Sequence, residues 1–147
     1  MTRKTMIATF AAAVALAGQL FAGGFYLQLG NPEASPEARK HNAVLTVMAT
    51  GCHDPGSAQL TANAIGVVNG ERKSIPLTVT KLSTPGMFAL TQQWPKEGRW
   101  VLDLTAKNDE QFTNTLVKVG PDGIDRLHPK WSPKQFAASD IEAMLQD

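Results

Sequence analysis

Residues 58–80 read Ala-Gln-Leu-Thr-Ala-Asn-Ala-Ile-Gly-Val-Val-Asn-Gly-Glu-Arg-Lys-Ser-Ile-Pro-Leu-Thr-Val-Thr, and the spacing of their apolar side chains decides the fold class. Ala58, Leu60, Ala62 and Ala64 fall on one side of an extended chain, with Gln59, Thr61 and Asn63 on the other. That period of two marks a half-buried strand. At Ile65 and Val67 the apolar residues move to the formerly polar side, with Gly66 between them. A glycine where the alternation slips predicts a bulge or a bend between sheets. Asn69-Gly70 follows, the strongest short hairpin signal, because both turn residues tolerate positive φ. The returning strand sets Ile75, Leu77 and Val79 against Ser74, Thr78 and Thr80. Pro76 has no N–H to give to a ladder, which places this strand at an edge.

Outward from this hairpin the same period recurs. Upstream, Ala43, Leu45, Val47 and Ala49 share a face. Downstream, Thr84-Pro85-Gly86 turns the chain into a strand holding Phe88 and Leu90, which ends near Trp94-Pro95. After Lys96-Glu97-Gly98, Trp100, Leu102 and Leu104 alternate with Arg99, Val101, Asp103 and Thr105. Asn108-Asp109-Glu110 turns again, and Phe112 to Val119 forms the last clear strand, closed by Gly120-Pro121-Asp122-Gly123. Short strands separated by Gly, Pro and Asn turns predict an all-β domain over residues 43–124. The expected architecture is an antiparallel immunoglobulin-like β-sandwich, with a small barrel as the alternative. Cys52 is the only cysteine, so no Cys–Trp–Cys core forms and Trp100 serves as the core aromatic without a bridge. The tail, residues 125–147, carries a short C-terminal helix or two between Pro133 and Gln146. Its signals are Ser132-Pro133 as a start, Ser139-x-x-Glu142 as a capping box, and Ala137, Ile141, Met144 and Leu145 at helical spacing. That stripe is expected to pack on the sandwich.

The N-terminus has a different composition. Arg3 and Lys4 precede an uncharged apolar run from Met6, and Ala15-Leu16-Ala17 follows it. A positive start, an apolar core and an A-x-A site define a secretory signal. Residues 1–17 are therefore expected to be a signal peptide, with Ala22 and Gly24 as later cut sites. The uncharged run from Met6 to Leu29 is also long enough for the roughly 20 residues that span a bilayer, so an uncleaved anchor is the other reading. Either way the rest of the chain lies outside the cytoplasm, because positive charge stays inside. The expected localisation is periplasmic or secreted, with membrane contact only if the signal is kept. Residues 18–42 read as a linker, with a single helical turn around Pro36 to Lys40. The net charge of the 147-residue chain is +1. Without Arg3 and Lys4 it falls to about −1, which leaves no basic patch for a nucleic acid.

Motifs for chemistry are sparse. There is no nucleophile elbow, phosphate-binding glycine loop or zinc spacing, and the expectation is a protein that is not an enzyme. The most unusual segment is Gly51-Cys52-His53-Asp54-Pro55. A thiolate beside an imidazole suits copper, and His41 and Met87 could complete a soft ligand set. Adjacent strand residues point to opposite faces, so Cys52 and His53 could share a metal only in a bent loop. Asp54-Pro55-Gly56 offers that bend. The other candidates are Trp94 and Trp131, which lie at turns, where a tryptophan either anchors a partner or pins a loop to the sandwich.

Pro85-Gly86-Met87-Phe88-Ala89-Leu90, followed by Trp94-Pro95-Lys96-Glu97-Gly98-Arg99-Trp100-Val101-Leu102, resembles a segment of small exported immunoglobulin-like domains, the YtkA-like/FixH-like group. The resemblance implies a thin sandwich beside a signal or anchor, and for some relatives a part in copper handling or oxidase assembly. Two functional expectations result. The first is an exported non-catalytic binding or accessory domain, without a cofactor, that contacts another periplasmic protein. The alternative is a periplasmic copper-binding or metallochaperone-like domain that uses the Cys52-His53 loop.

Overall fold

The computed structural model describes residues 24–51 and 53–147. Along the chain run β1 (Tyr26–Gly30), α1 (Pro36–Lys40), β2 (Ala43–Thr50), β3 (Gln59–Val68), β4 (Glu71–Pro76), β5 (Val79–Lys81) and β6 (Met87–Thr91). β7 (Arg99–Asn108), β8 (Gln111–Gly120), β9 (Gly123–Ile124), β10 (Lys130–Ser132) and α2 (Ala138–Gln146) complete it. Every strand pairing is antiparallel. One sheet has the order β1-β2-β6-β5; the other has the order β10-β8-β7-β3-β4, with β9 folded back on β8. In immunoglobulin lettering these are A-B-E-D and, from β8 to β4, G-F-C-C′. The expected immunoglobulin-like sandwich is therefore the observed fold.

The core lies between the sheets. Leu45 and Val47 of β2 and Phe88 and Leu90 of β6 meet Leu60, Ala62 and Ala64 of β3 and Trp100, Leu102 and Leu104 of β7. Burying each large apolar side chain contributes about 1.5–3 kcal/mol. β3 and β7 pair without interruption from Gln59↔Lys107 to Val67↔Arg99, and the β3–β4 register is equally regular. The expected break at Gly66 is thus absent. Gly66 lies opposite Trp100, and a Cβ there would overlap the indole ring. Ile65 and Val67 keep the strand's period and face outward, where Val101, Leu116 and the Ile141, Met144 and Leu145 side chains of α2 cover them. The apparent slip marks a second buried face.

β4 is an edge strand, as Pro76 requires. The stretch read as one strand through Val79 is two. Leu77 donates its N–H to the Ala62 carbonyl at 2.8 Å, and the chain then crosses to the opposite sheet as β5. α2 starts later than Ser132-Pro133, because Ser132 is already paired to Asn114 in β10. Ser139 lies inside the helix, and the Asp140 carboxylate accepts the Ala137 N–H at 2.9 Å instead. The segment read as linker contains α1 where a helical turn was expected, capped by Ser35, whose Oγ accepts the Ala38 N–H at 3.2 Å. It also contributes β1, which pairs with β2 and buries Phe25 and Leu27 in the core. Tyr26 to Leu29 are therefore sheet residues, and a membrane anchor would have to end before them. The cleavage sites after Ala17 and Ala22 lie outside the described residues, and the site after Gly24 directly precedes the buried Phe25. Among the described residues no helix is long and apolar enough to cross a membrane.

Candidate functional site

Trp94 does not present itself to solvent. Its side chain is 5 % exposed and belongs to the core cluster, and the Gln92 amide donates to the Trp94 carbonyl at 3.1 Å. With Trp100, whose indole N–H donates to the Glu97 carbonyl at 2.9 Å, it floors a cleft of about 580 Å³ at one end of the sandwich. Glu33, Lys96, Asp122 and Arg126 are among the lining residues. The Trp94 turn is thus pinned inward, the packing alternative of the two roles a turn tryptophan can take.

Trp131 is different. It sits on β10, 48 % exposed, with its indole N–H donated to Thr113 Oγ1 at 2.5 Å. The hydrogen bond fixes one edge of the ring and leaves the rest in water. At Gly24, where the described chain begins, a Cβ would lie 3.9 Å from the ring. Leu127, 84 % exposed, precedes it on the same connection. Between and around these two run Arg126, Lys130 and Lys134. Upstream, Asp125 organises the turn by accepting the Leu127 N–H at 3.1 Å and the His128 N–H at 3.2 Å, and His128 Nδ1 lies 3.0 Å from its carboxylate. Partial desolvation pushes the Asp125 carboxyl up, and the His128 side chain and the turn amides outweigh it, so its pKa lies below the ordinary value.

Of the candidate copper ligands, His41 and His53 lie at opposite ends of β2. His41 caps the end of α1 before β2, and His53 follows β2 in an exposed loop. The eight residues of β2 separate the two ends by roughly 23 Å at ~3.3 Å per residue, too far for one metal ion. Met87 is half-buried against the Ala38–Leu82–Ala89 cluster and is the register partner of Met48, at the His53 end of β2. Cys52 lies outside the described residues. The loop beyond it is tied down: Asp54 accepts from Gly56 N–H at 3.1 Å and Ser57 Oγ–H at 2.5 Å, and Asn108 donates to the Asp54 carbonyl at 2.8 Å. Among the described residues no group of three or more His, Cys, Asp or Glu side chains could hold a metal ion.

A further polar site escaped the sequence reading. On the outer face of β3 and β7, beside the area covered by α2, Gln59, Thr61, Asn63, Asp103, Thr105 and Lys107 line a groove of about 450 Å³. Its foundation is the fully buried Asn114. Asn114 Nδ2 donates to Asp103 Oδ1 at 2.6 Å and to the Leu104 carbonyl at 2.9 Å. Asn114 Oδ1 accepts from Gln135 Nε2 at 3.1 Å and from the Phe136 N–H at 2.9 Å. One amide thus fixes Asp103, Gln135 and the segment that leads into α2. A buried Asn and Asp in the middle of paired strands were the available signal, but a period-two pattern marks outward polar positions without separating exposed from buried ones. No family model, curated protein or solved structure matches the chain.

Proposed function

We propose that this chain is an exported, non-catalytic accessory domain that docks on another protein outside the cytoplasm through its Leu127–Trp131 edge. One observation carries the reading: two large apolar side chains, 84 % and 48 % exposed, lie four residues apart on a single connection that also carries Arg126, Lys130 and Lys134 against one acidic residue, Asp125. A half-exposed tryptophan fixed by one hydrogen bond loses little freedom on binding, and tryptophan and arginine are enriched in the energetic centres of interfaces. The basic neighbours favour an acidic rim on the partner. Export rests on Arg3-Lys4, the apolar run and Ala15-Leu16-Ala17. The YtkA-like/FixH-like resemblance is in keeping with this reading but bears on the fold. Phe88, Leu90, Trp100 and Leu102, which carry it, are core residues. The test is capture from periplasmic extract on the immobilised protein. A captured protein should be lost with Trp131→Ala and Leu127→Ser and kept with Lys73→Ala on the distant β4 edge. Equal capture by all three variants would refute the Trp131 edge as the contact.

A second reading, copper binding, is favoured by the Met48–Met87 register pair, which sets two thioethers beside each other on β2 and β6 near the strand end that leads into the Cys52-His53 loop. Thioether and thiolate suit copper(I). His41 has no place in that set. Copper(I) uptake that is lost in a Met48→Leu, Met87→Leu double variant would favour this reading; no copper(I) uptake by the unaltered protein would remove it.

A further inference from the structure

Asp103 is a carboxylate only 9 % exposed, and the ion pairs among the described residues, Arg72–Glu142 and His128–Asp125, do not include it. Its one side-chain hydrogen bond among those residues is the 2.6 Å bond from Asn114 to Oδ1. A buried carboxylate with one neutral donor retains unused acceptor capacity at a real desolvation cost. That capacity faces a groove, because Asp103 is one of its lining residues.

The groove has a definite chemistry. Asn63 is the register partner of Asp103, Thr61 of Thr105, and Gln59 of Lys107, so three cross-strand polar pairs follow one another down the sheet. Lys107 stands four residues from Asp103, about 13 Å along the strand at ~3.3 Å per residue. One negative and one positive side chain leave the groove with no net charge, which disfavours a cation or an anion as the ligand. What remains is a row of hydroxyl and amide groups that both donate and accept. Phe112, the half-buried register partner of Lys107, adds an apolar ring at that end. The Gln135 amide closes the other side, held by Asn114. A volume of about 450 Å³ lies within the ~300–1,000 Å³ of small-ligand sites.

From this arrangement we infer that the Asp103 groove is a binding site for a neutral, polyhydroxylated ligand, a short saccharide. Its hydroxyls donate to Asp103 and accept from Lys107 and the amides, and one sugar ring lays its C–H face on Phe112. Asp103 anchors the ligand, and Asn114 is a positioning residue that holds Asp103 and Gln135 from beneath. This site is separate from the Leu127–Trp131 edge and does not depend on it.

The experiment is amide chemical-shift mapping by NMR on the purified chain with cellotetraose, maltotetraose and chitotetraose as probes at millimolar concentration. The expected result is saturable shifts for at least one probe, clustered at Thr61, Asn63, Thr105 and Lys107. Asp103→Asn should weaken that binding by about tenfold, as expected for loss of one charge-assisted hydrogen bond. The exposed-groove variant Thr61→Val/Asn63→Ala, which touches no core residue, should weaken it likewise with an unchanged melting temperature, so the test stands even if Asp103→Asn fails to fold. Three results would overturn the inference. They are no shifts with any of the probes, shifts confined to the Trp94 cleft, and a stronger response at Asp103 to the monocation methylammonium than to every saccharide.

Discussion

Gly66 and Trp100 face each other on adjacent strands, and each limits what the other position can hold. The indole lies over the glycine, its N–H spent on the Glu97 carbonyl, so no side-chain atom fits at position 66. Gly66→Ala should destabilise the domain by about 1–3 kcal/mol through overpacking, although alanine is the better strand residue. Trp100→Ala should cost about 3–5 kcal/mol through the cavity it leaves. Because a smaller ring makes room for a methyl group, Gly66→Ala combined with Trp100→Phe should cost less than the sum of the two single changes, and urea unfolding of the four proteins reads that coupling. Additive costs would mean that the ring moves aside freely. At this scale the sequence was legible for identity and silent on reason. The alternation placed Leu60, Leu102 and Trp100 inside correctly. Gly66 was marked as unusual, but its cause is a side chain on another strand, thirty-four positions away, and no local pattern carries that.

Elements were legible where one face was buried and misread where two were. β3 has core residues Leu60, Ala62 and Ala64 on one side and Ile65 and Val67 under α2 on the other, so its pattern changes where the helix begins to cover it. β1 was hidden for another reason: Phe25, Leu27 and Leu29 alternate with Tyr26 and Gln28 at the end of a long uncharged run, which masks a period of two. Of the candidate contact elements, the Trp131 connection was visible as a turn tryptophan, whereas the Asp103 groove depends on Asn114 from the neighbouring strand. α1 offers a test of how the short elements are held. Its Glu37 carboxylate accepts from the Ser83 hydroxyl at 2.7 Å and the Ser83 N–H at 3.0 Å, bridging α1 to the β5–β6 turn. The side-chain bond first, then the backbone bond, lower the Glu37 pKa below its ordinary 4.5. A lowered folded pKa means that the anchor acts fully above that ordinary value and is lost as pH falls through the folded one. Glu37→Gln should therefore flatten the stability profile below about pH 4.5, with wild type and variant converging in acid, when melting temperature is followed against pH. A constant gap between the two at every pH would show that the Glu37 charge contributes nothing.

For the molecule as a whole, the position of the first strand limits where an N-terminal cut could fall without loss of core residues. Phe25 and Leu27 are core residues and β1 pairs with β2 from Tyr26 onward. A mature protein that lost Phe25 would expose the apolar surface of Leu27's neighbours at the edge of the sheet. The three cut sites in the sequence, after Ala17, Ala22 and Gly24, all leave Phe25 in place. If the N-terminus is a signal peptide, each of these cuts leaves β1 whole. A cut after Gly24 would remove the residue next to the Trp131 ring and leave Phe25 as the new amino terminus. A retained anchor would instead bring the bilayer surface close to the Leu127–Trp131 edge and leave less room for a protein there. Export with cleavage is thus the form in which the proposed contact edge is most accessible. Intact-mass analysis of periplasmic material should show a single new terminus between Gly18 and Phe25, and the cleaved protein should capture its partner more strongly than a variant whose Ala15 and Ala17 are replaced by Leu to block cleavage. A full-length species in the cytosol would refute export. Equal capture by the cleaved and the blocked forms would show that the edge is open in both and that processing has no bearing on docking.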